Sequence, residues 1–372
     1  MSLTQNALEA LAPFGADRVD PPISIEAKVP LELSGEAVRS RICTFIDQAG
    51  LEWALRPDLT LAVAQAEVAA RRGGETGETV RSYCGPIFRL PARASDPLEY
   101  TQVGLERFDA PRGPDQDVWL FSALSSVSQA CGLETGQASF GDLSIFPSFV
   151  DALGFSADTA AGLKRAFRQA GGVKAFLEGQ VRSPQGLTGR LTGMSRVDVS
   201  AFVDDIYAMT GVRPVGERGA DEIVERLFER AQATAQAVVS DAQANVLEAL
   251  LAVDVPLQDA ADALRQIAQN AGLSQLEPVL TAFATRAEGL LSSGEVGVLK
   301  AARFATQFGR RFTYYDGFVF EIFGEDPSIG PFAAGGRYDS LLRDLSGGAV
   351  DATALGGVVV PHRMAQLTGA AK

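Results

Sequence analysis

The chain has 372 residues, 46% of them apolar, enough for two domains or for one large domain carrying an insertion. Its 33 basic and 46 acidic residues give a formal charge of −13, which argues against a tRNA or DNA surface, because phosphate binding needs a basic stripe. No basic segment followed by an apolar run opens the chain, and no stretch reaches the ~18 apolar residues of a bilayer span, so a soluble, cytoplasmic protein without a membrane partner is expected.

In chain order, residues 2–12 read as a short helix and Asp20-Pro21-Pro22 as a turn. Ile23 to Ala27 alternates like a half-buried strand. Residues 35–50 hold a helical piece and then a strand-like one, and Leu51–Leu55 reads as a further strand. Asp58 or Thr60 is placed to cap a helix over Leu61–Arg72, which Gly73-Gly74 ends. Arg81–Arg89 reads as a strand that breaks at Gly85-Pro86, residues 90–99 as a loop, and Tyr100–Phe108 as a second strand, the two forming an antiparallel hairpin. A helix over Asp115–Cys131 and a strand over Gln137–Leu143 follow.

From about residue 146 to 292 the pattern is almost wholly helical. Ile223, Leu227, Ala231, Val238, Ala242, Val246 and Leu250 keep close to helical spacing, with Pro214 and Gly216 marking loops before them. Ala261, Leu264 and Ala268 repeat the spacing in a helix that Asn270-Ala271-Gly272 closes. Strand chemistry returns near Arg303, and the aromatic, β-branched run Phe312–Phe323 is the strongest strand signal in the chain. Gly335 to Asp339 reads as a turn leading into a helix, Leu355–Val360 as a short buried strand, and a last helix starts at Pro361. Strands at both ends and helices between them predict an α+β fold. Its antiparallel sheet, flanked by helices, draws on residues 1–150 and 296–372, with a mainly helical insertion over 151–295.

The three cysteines, Cys43, Cys84 and Cys131, are scattered, and His362 is the only histidine. With no CxxC pair and no His–Cys cluster, reduced thiols and no metal are expected, and His362 reads as a surface residue at a helix start. Gly347-Gly348 lacks the G-x-G-x-x-G spacing of a nucleotide loop, and Arg71-Arg72 and Arg310-Arg311 read as surface charge. Gln102 and Glu106 are more informative: four apart on a strand, they share a face. Burying such groups without partners is costly. On spacing alone two readings stand. One is a polar pocket for a zwitterionic ligand, carboxylates taking its ammonium and Arg89 its carboxylate. The other is a solvated sheet face carrying surface ion pairs.

Several segments, taken together, resemble one family. They are Arg56-Pro57-Asp58-Leu59-Thr60, Tyr83-Cys84-Gly85-Pro86-Ile87-Phe88-Arg89, Gln102-Val103-Gly104-Leu105-Glu106, Tyr314-Tyr315-Asp316-Gly317-Phe318-Val319-Phe320-Glu321, Gly335-Gly336-Arg337-Tyr338-Asp339, and Leu355 to Arg363. They resemble, in order, the Arg-Pro-acidic-x-Thr element, the two strands of motif 2, the histidine-specific element, the family signature that follows it and motif 3 of class II histidyl-tRNA synthetases and their paralogues, the regulatory subunits of short-form ATP phosphoribosyltransferase. The resemblance runs from about residue 22 to residue 363. It implies a class II aminoacyl-tRNA synthetase-like sheet with a histidine pocket. Asp58 and Glu106 would meet the amino group or imidazole, while Thr60, Gln102, Tyr314 and Tyr315 would shape and hydrogen-bond the pocket. Arg89 would face the ligand carboxylate, or the α-phosphate in an active enzyme, and Arg310 stands in the register of the synthetase's catalytic arginine.

The departures from the family pattern bear on activity. Pro91 takes the acidic position that follows Phe-Arg in an active motif 2, and Asp96-Pro97-Leu98-Glu99 stands where a basic run is needed to stabilise a pentavalent phosphate. In motif 3, Gly356 and Arg363 remain but Val360 fills the second glycine position. No anticodon-binding domain is expected after Arg363. The resemblance therefore implies a non-catalytic, allosteric regulatory subunit that needs no cofactor and binds no tRNA. It would join the short-form ATP phosphoribosyltransferase catalytic subunit in a hetero-oligomer built on a dimer of this chain, be required for the first step of histidine biosynthesis, and transmit inhibition by histidine as effector. Two alternatives stay open: a histidine-adenylating enzyme, which Arg89, Arg310 and Arg363 keep in play, and a stress-sensing or scaffold domain that binds uncharged tRNA.

Overall fold

Ser2 opens the first helix, α1 (Leu3–Leu11), by accepting the Gln5 N–H, and Ala7 and Leu11 are buried on it. The computed structural model describes residues 2–92, 96–133, 136–181, 191, 194–210, 223–228, 239–293, 301–310 and 314–369. It divides into two units, Met1–Ile145 with Leu250–Lys372, and Phe146–Ala249.

In the first unit the chain runs through β1 (Asp17–Arg18), β2 (Ser24–Glu26), α2 (Lys28–Leu33), α3 (Glu36–Arg39), β3 (Cys43–Ile46), β4 (Glu52–Leu55), α4 (Leu59–Arg72), β5 (Thr79–Phe88), β6 (Glu99–Phe108), α5 (Pro114–Ala130) and β7 (Gln137–Asp142). It resumes with β8 (Asp254–Pro256), α6 (Leu257–Asn270), α7 (Glu277–Ser292), β9 (Arg303–Ala305), β10 (Phe318–Phe323), β11 (Ala333–Arg337), α8 (Leu341–Ser346), β12 (Ala354–Val359) and α9 (Pro361–Thr368). Nine strands form one sheet in the order β1-β5-β6-β12-β11-β10-β7-β9-β8, and β2-β4-β3 form a second. The joins are antiparallel except β1–β5 and β7–β9.

Each face of the large sheet has its own chemistry, because side chains alternate along a strand. One face is aromatic: Phe121 of α5 packs on Phe140 of β7 and Phe320 of β10. The register places Tyr83, Gln102, Gly104, Glu106, Gly356 and Gly336 together on the other. Buried charge ties the helices to the ends of strands β11 and β7. Asp117 of α5 accepts from both Arg337 of β11 and Arg286 of α7, and Arg286 also pairs with Asp142.

The structure departs from the sequence expectations at five places. β5 does not break at Gly85-Pro86; both residues pair with β6. Phe88, two residues on, sends its N–H away from β6 to the Arg56 carbonyl, so the N–H that proline lacks at 86 belongs to the same open edge and no ladder bond is lost. Within Phe312–Phe323 only Phe318–Phe323 is a strand, residues 311–313 lie outside the described ones, and Asp316 lies before the strand, its carboxylate accepting the Asp339 and Ser340 N–H groups. Gly335 and Gly336 are strand residues of β11; a Cβ on Gly336 would stand 2.5 Å from the Phe318 carbonyl, so close strand packing rather than a turn accounts for glycine there. The helical run over 223–250 is not continuous. Ser240 and Gln243 form a reciprocal capping box that starts a new helix at Asp241, while Ala231 and Val238, like Pro214, Gly216 and Arg311, lie outside the described residues. Finally, α6 and α7, expected within the insertion, belong to the sheet unit, where Phe283 of α7 packs edge-on against Phe304 of β9.

The second unit is helical where described, with helices Ala157–Phe167, Gly172–Val181 and Arg196–Thr210. Ser156 caps the first of these, and Phe146 stacks on Phe167 with ring centroids 4.3 Å apart. Leu191, Val199, Val203 and Val224 form a separate buried cluster. Among the described residues, no helix is long and apolar enough to cross a membrane.

Candidate functional site

Helix α4 begins at a branch point between structure and chemistry. Asp58, in extended backbone, caps it by accepting the Leu61 N–H on Oδ1 at 2.9 Å. Its other oxygen, Oδ2, is buried and has no hydrogen-bond partner. Burial pushes the Asp58 carboxyl above its usual range, while the Leu61 N–H and the nearby Arg89 charge pull the other way. Two residues on, Thr60 donates to Glu106 Oε1 at 2.7 Å. Gln102 Oε1 accepts the Leu59 N–H at 3.2 Å, tying β6 to the start of α4.

Glu106 lies at the centre and has no exposed surface. Besides Thr60, it accepts from the Tyr83 hydroxyl at 2.6 Å on Oε1 and from the Tyr338 hydroxyl on Oε2. Burial pushes its carboxyl up to about 7 against the pull of these three hydroxyls, and the neighbouring Asp58 raises it further. Burial and the Glu106 charge together hold the Tyr83 and Tyr338 hydroxyls well above the ordinary tyrosine range, so both remain protonated donors. Glycine at 356 is what makes room for Glu106: a Cβ there would stand 1.5 Å from Oε2.

Tyr314 and Tyr315 close the cluster from the segment before β10. Both are nearly buried, their rings are 4.8 Å apart, and each lies about 6 Å from the Tyr338 ring. A cleft lined by Phe308, Gly309, Tyr315, Val319, Glu321 and Ala334 opens beside them.

The structure thus gathers Asp58, Thr60, Gln102, Glu106, Tyr314 and Tyr315. Arg89 stands at the rim, its Nε donating to the Pro57 carbonyl at 2.7 Å. Arg310 bonds to the carbonyl and side chain of Gln307, on the segment that leads to Tyr314. Arg363 donates to the Pro331 carbonyl; burial lowers its pKa, and the Arg89 charge lowers it further. Two residues not singled out as pocket candidates, Tyr83 and Tyr338, prove to hold the central carboxylate. Alternation along the hairpin carries the signal for Tyr83, which pairs with Gly104 on the Glu106 face. Among the described residues, no group of three or more His, Cys, Asp or Glu side chains is placed to hold a metal ion.

Two buried carboxylates and one guanidinium at the rim make a site short of positive charge. A buried acceptor without a partner costs ~1–3 kcal/mol, regained when a donor arrives. The arrangement suits a small ligand carrying an ammonium and further N–H donors.

The family model for histidyl-tRNA synthetase matches residues 1–186 and 198–359. The ATP phosphoribosyltransferase regulatory subunit of Chelativorans sp. (strain BNC1) is 31% identical over 326 residues, covering 84% of this chain and 83% of that protein. The protein of the same name from Rhizobium etli (strain ATCC 51251 / DSM 11541 / JCM 21823 / NBRC 15573 / CFN 42) is 31% identical over 363 residues, 94% of each. A solved structure described as an ATP phosphoribosyltransferase regulatory subunit/histidyl-tRNA synthetase from Bacillus halodurans superimposes with a TM-score of 0.64 at 18% identity, covering 98% of this chain and 78% of that one, and shows the same fold. By its ordered motifs, its sheet and these relatives, the chain belongs to the histidyl-tRNA synthetase-like family, among the ATP phosphoribosyltransferase regulatory subunits.

Proposed function

We propose that this chain is the non-catalytic regulatory subunit of a short-form ATP phosphoribosyltransferase, that the catalytic subunit requires it for activity, and that its pocket takes histidine as the feedback effector. The observation that carries the effector reading is the unpartnered, buried Asp58 Oδ2 beside the hydroxyl-bound Glu106, inside a wall of tyrosines. The α-ammonium of histidine supplies the donor that Asp58 lacks, an imidazole N–H meets Glu106, and Arg89 at the rim faces the carboxylate. The non-catalytic reading is supported by Pro91, by the acidic approach to Tyr100 and by Val360 in motif 3. The working assembly is a hetero-oligomer in the cytoplasm, built on a dimer of this chain.

Histidine titration calorimetry on the isolated chain tests the pocket. Glu106→Ala and Tyr314→Ala are each expected to weaken binding at least about tenfold, since hydrogen bonds to charged groups are worth ~1.5–3 kcal/mol. Unchanged affinity in both variants would place the effector elsewhere. Adenylation is the second reading, favoured by the electrostatic influence of Arg89 on Arg363, two residues that stand in the family's motifs 2 and 3. Histidine-dependent pyrophosphate exchange by the isolated chain would establish it in place of the first.

A further inference from the structure

We propose that Tyr83 is a positioning residue for this pocket: with Thr60 and Tyr338 it fixes the Glu106 carboxylate so that a single acceptor position, on Oε2, is left for one N–H of the ligand. The inference rests on the reading of the pocket as a histidine site.

An ionised carboxylate offers about four acceptor positions, two on each oxygen. Thr60 and Tyr83 fill both positions of Oε1, and Tyr338 fills one on Oε2. The three donors come from α4, from β5 and from the residue after β11, so no single element can turn the carboxylate alone. Tyr83 itself has no exposed surface and lies over Gly104, where a Cβ would stand 2.7 Å from its hydroxyl oxygen. It therefore acts on the ligand only through Glu106.

The position left open on Oε2 accepts a hydrogen bond only while Glu106 is ionised. The groups that face Glu106 are Thr60 and Asp58 from α4, Tyr83 from β5, Tyr338 after β11, and Tyr314 and Tyr315 before β10. β12 presents Gly356, with nothing to titrate. Arg81, opposite Glu106 on β5, spends its guanidinium on Glu67 and Glu75. Asp58 raises the Glu106 carboxyl and the three hydroxyls lower it, so removing one hydroxyl moves it up. A ligand that needs the ionised form then loses affinity from a higher pH downward.

The test is titration of the full chain with L-histidine from about pH 5.5 to about pH 8.5, the range in which imidazole and a raised carboxyl titrate. The wild type is compared with Tyr83→Phe and Thr60→Val. Free histidine titrates identically in every experiment, so differences between curves belong to the pocket. Wild-type affinity is expected to fall as the pH drops through about 7. Tyr83→Phe should move that fall up by about one pH unit while holding affinity on the alkaline side within about threefold. An equal loss at every pH, the mark of a packing defect, overturns the proposal, and so does an unchanged curve. If Tyr83→Phe fails to fold, Thr60→Val removes the other Oε1 donor and should likewise move the pH of the fall upward, whatever its affinity on the alkaline side. Carboxyl ¹³C NMR of Glu106 in the ligand-free chain, assigned with Glu106→Gln, separates the two layers. No movement of its titration in either variant sinks the positioning role whatever histidine does. Movement in a chain whose wild type binds no histidine supports the positioning role and overturns the histidine reading.

Discussion

Glu106 has traded water for three hydroxyls, and the exchange is incomplete: burial still holds its carboxyl at about 7, against 4.5 for an ordinary glutamate. The folded chain therefore holds a proton that the unfolded chain releases between those values. This group's contribution to stability is fully present below about pH 4.5 and is lost as the pH rises through about 7, a change of about 3 kcal/mol. Glutamine at 106 cannot ionise. Denaturant unfolding of Glu106→Gln should thus gain on the wild type as the pH is raised from about 5 to about 8; a difference that stays constant with pH contradicts the buried, raised carboxyl. Asp58 divides its two oxygens between a helix cap and an open acceptor, and substitutions should divide its roles likewise. Asp58→Asn keeps a capping oxygen and should unfold within ~0.5 kcal/mol of the wild type, whereas Asp58→Ala should cost ~1 kcal/mol. Both should lose histidine binding, by calorimetry; retained binding in Asp58→Asn would show that Oδ2 accepts nothing from the ligand. Gln102 and Glu106 were legible in the sequence because polar residues on an apolar strand stand out, and Asp58 was legible as a helix cap. The roles of Tyr83 and Tyr338 were not, since a tyrosine on a strand reads equally well as core, and only the three-dimensional register shows where its hydroxyl ends.

At the scale of elements, the hairpin β5–β6 was legible from alternation, strand β12 from its short apolar run, and the cap of α4 from Asp58. The misreadings share a cause. Gly85-Pro86 and Gly335-Gly336 look like turn signals locally, but one lies on a sheet edge and the other where neighbouring strands leave no room for a Cβ; both facts belong to the sheet as a whole. The buried charges were equally hidden. Asp117, Arg286, Arg337 and Asp142 are far apart in sequence, and only the packing of α5 and α7 against β7 and β11 joins them. Breaking such a network by removing one partner leaves buried charge unpaired. Asp117→Asn should therefore cost about 3–5 kcal/mol in urea unfolding. Arg303→Ala, which removes the pair with Asp254 whose side chains are both more than half exposed, should cost less than about 1 kcal/mol. Equal costs would mean that the Asp117 network is solvated in practice.

Across the whole molecule, strands at both ends and helices between them fixed the α+β class, and the ordered motifs pointed to the family that the relatives then established. The division into units was less legible. The helical periodicity of α6 and α7 is the same whether they cover a sheet or sit in an insertion, and only their contacts assign them to the sheet unit. On the function proposed above, the property to test at this scale is a coupling between a histidine pocket and a partner's active site, ~1–3 kcal/mol in typical allosteric proteins. The most direct measurement is reconstitution with a short-form ATP phosphoribosyltransferase catalytic subunit, following phosphoribosyl transfer to ATP with and without histidine. The account predicts that transfer depends on this chain, falls as histidine is added, and becomes at least about tenfold less sensitive to histidine with Glu106→Ala in place of the wild type. Transfer that is indifferent to the chain, or inhibition that is unchanged by Glu106→Ala, would contradict it.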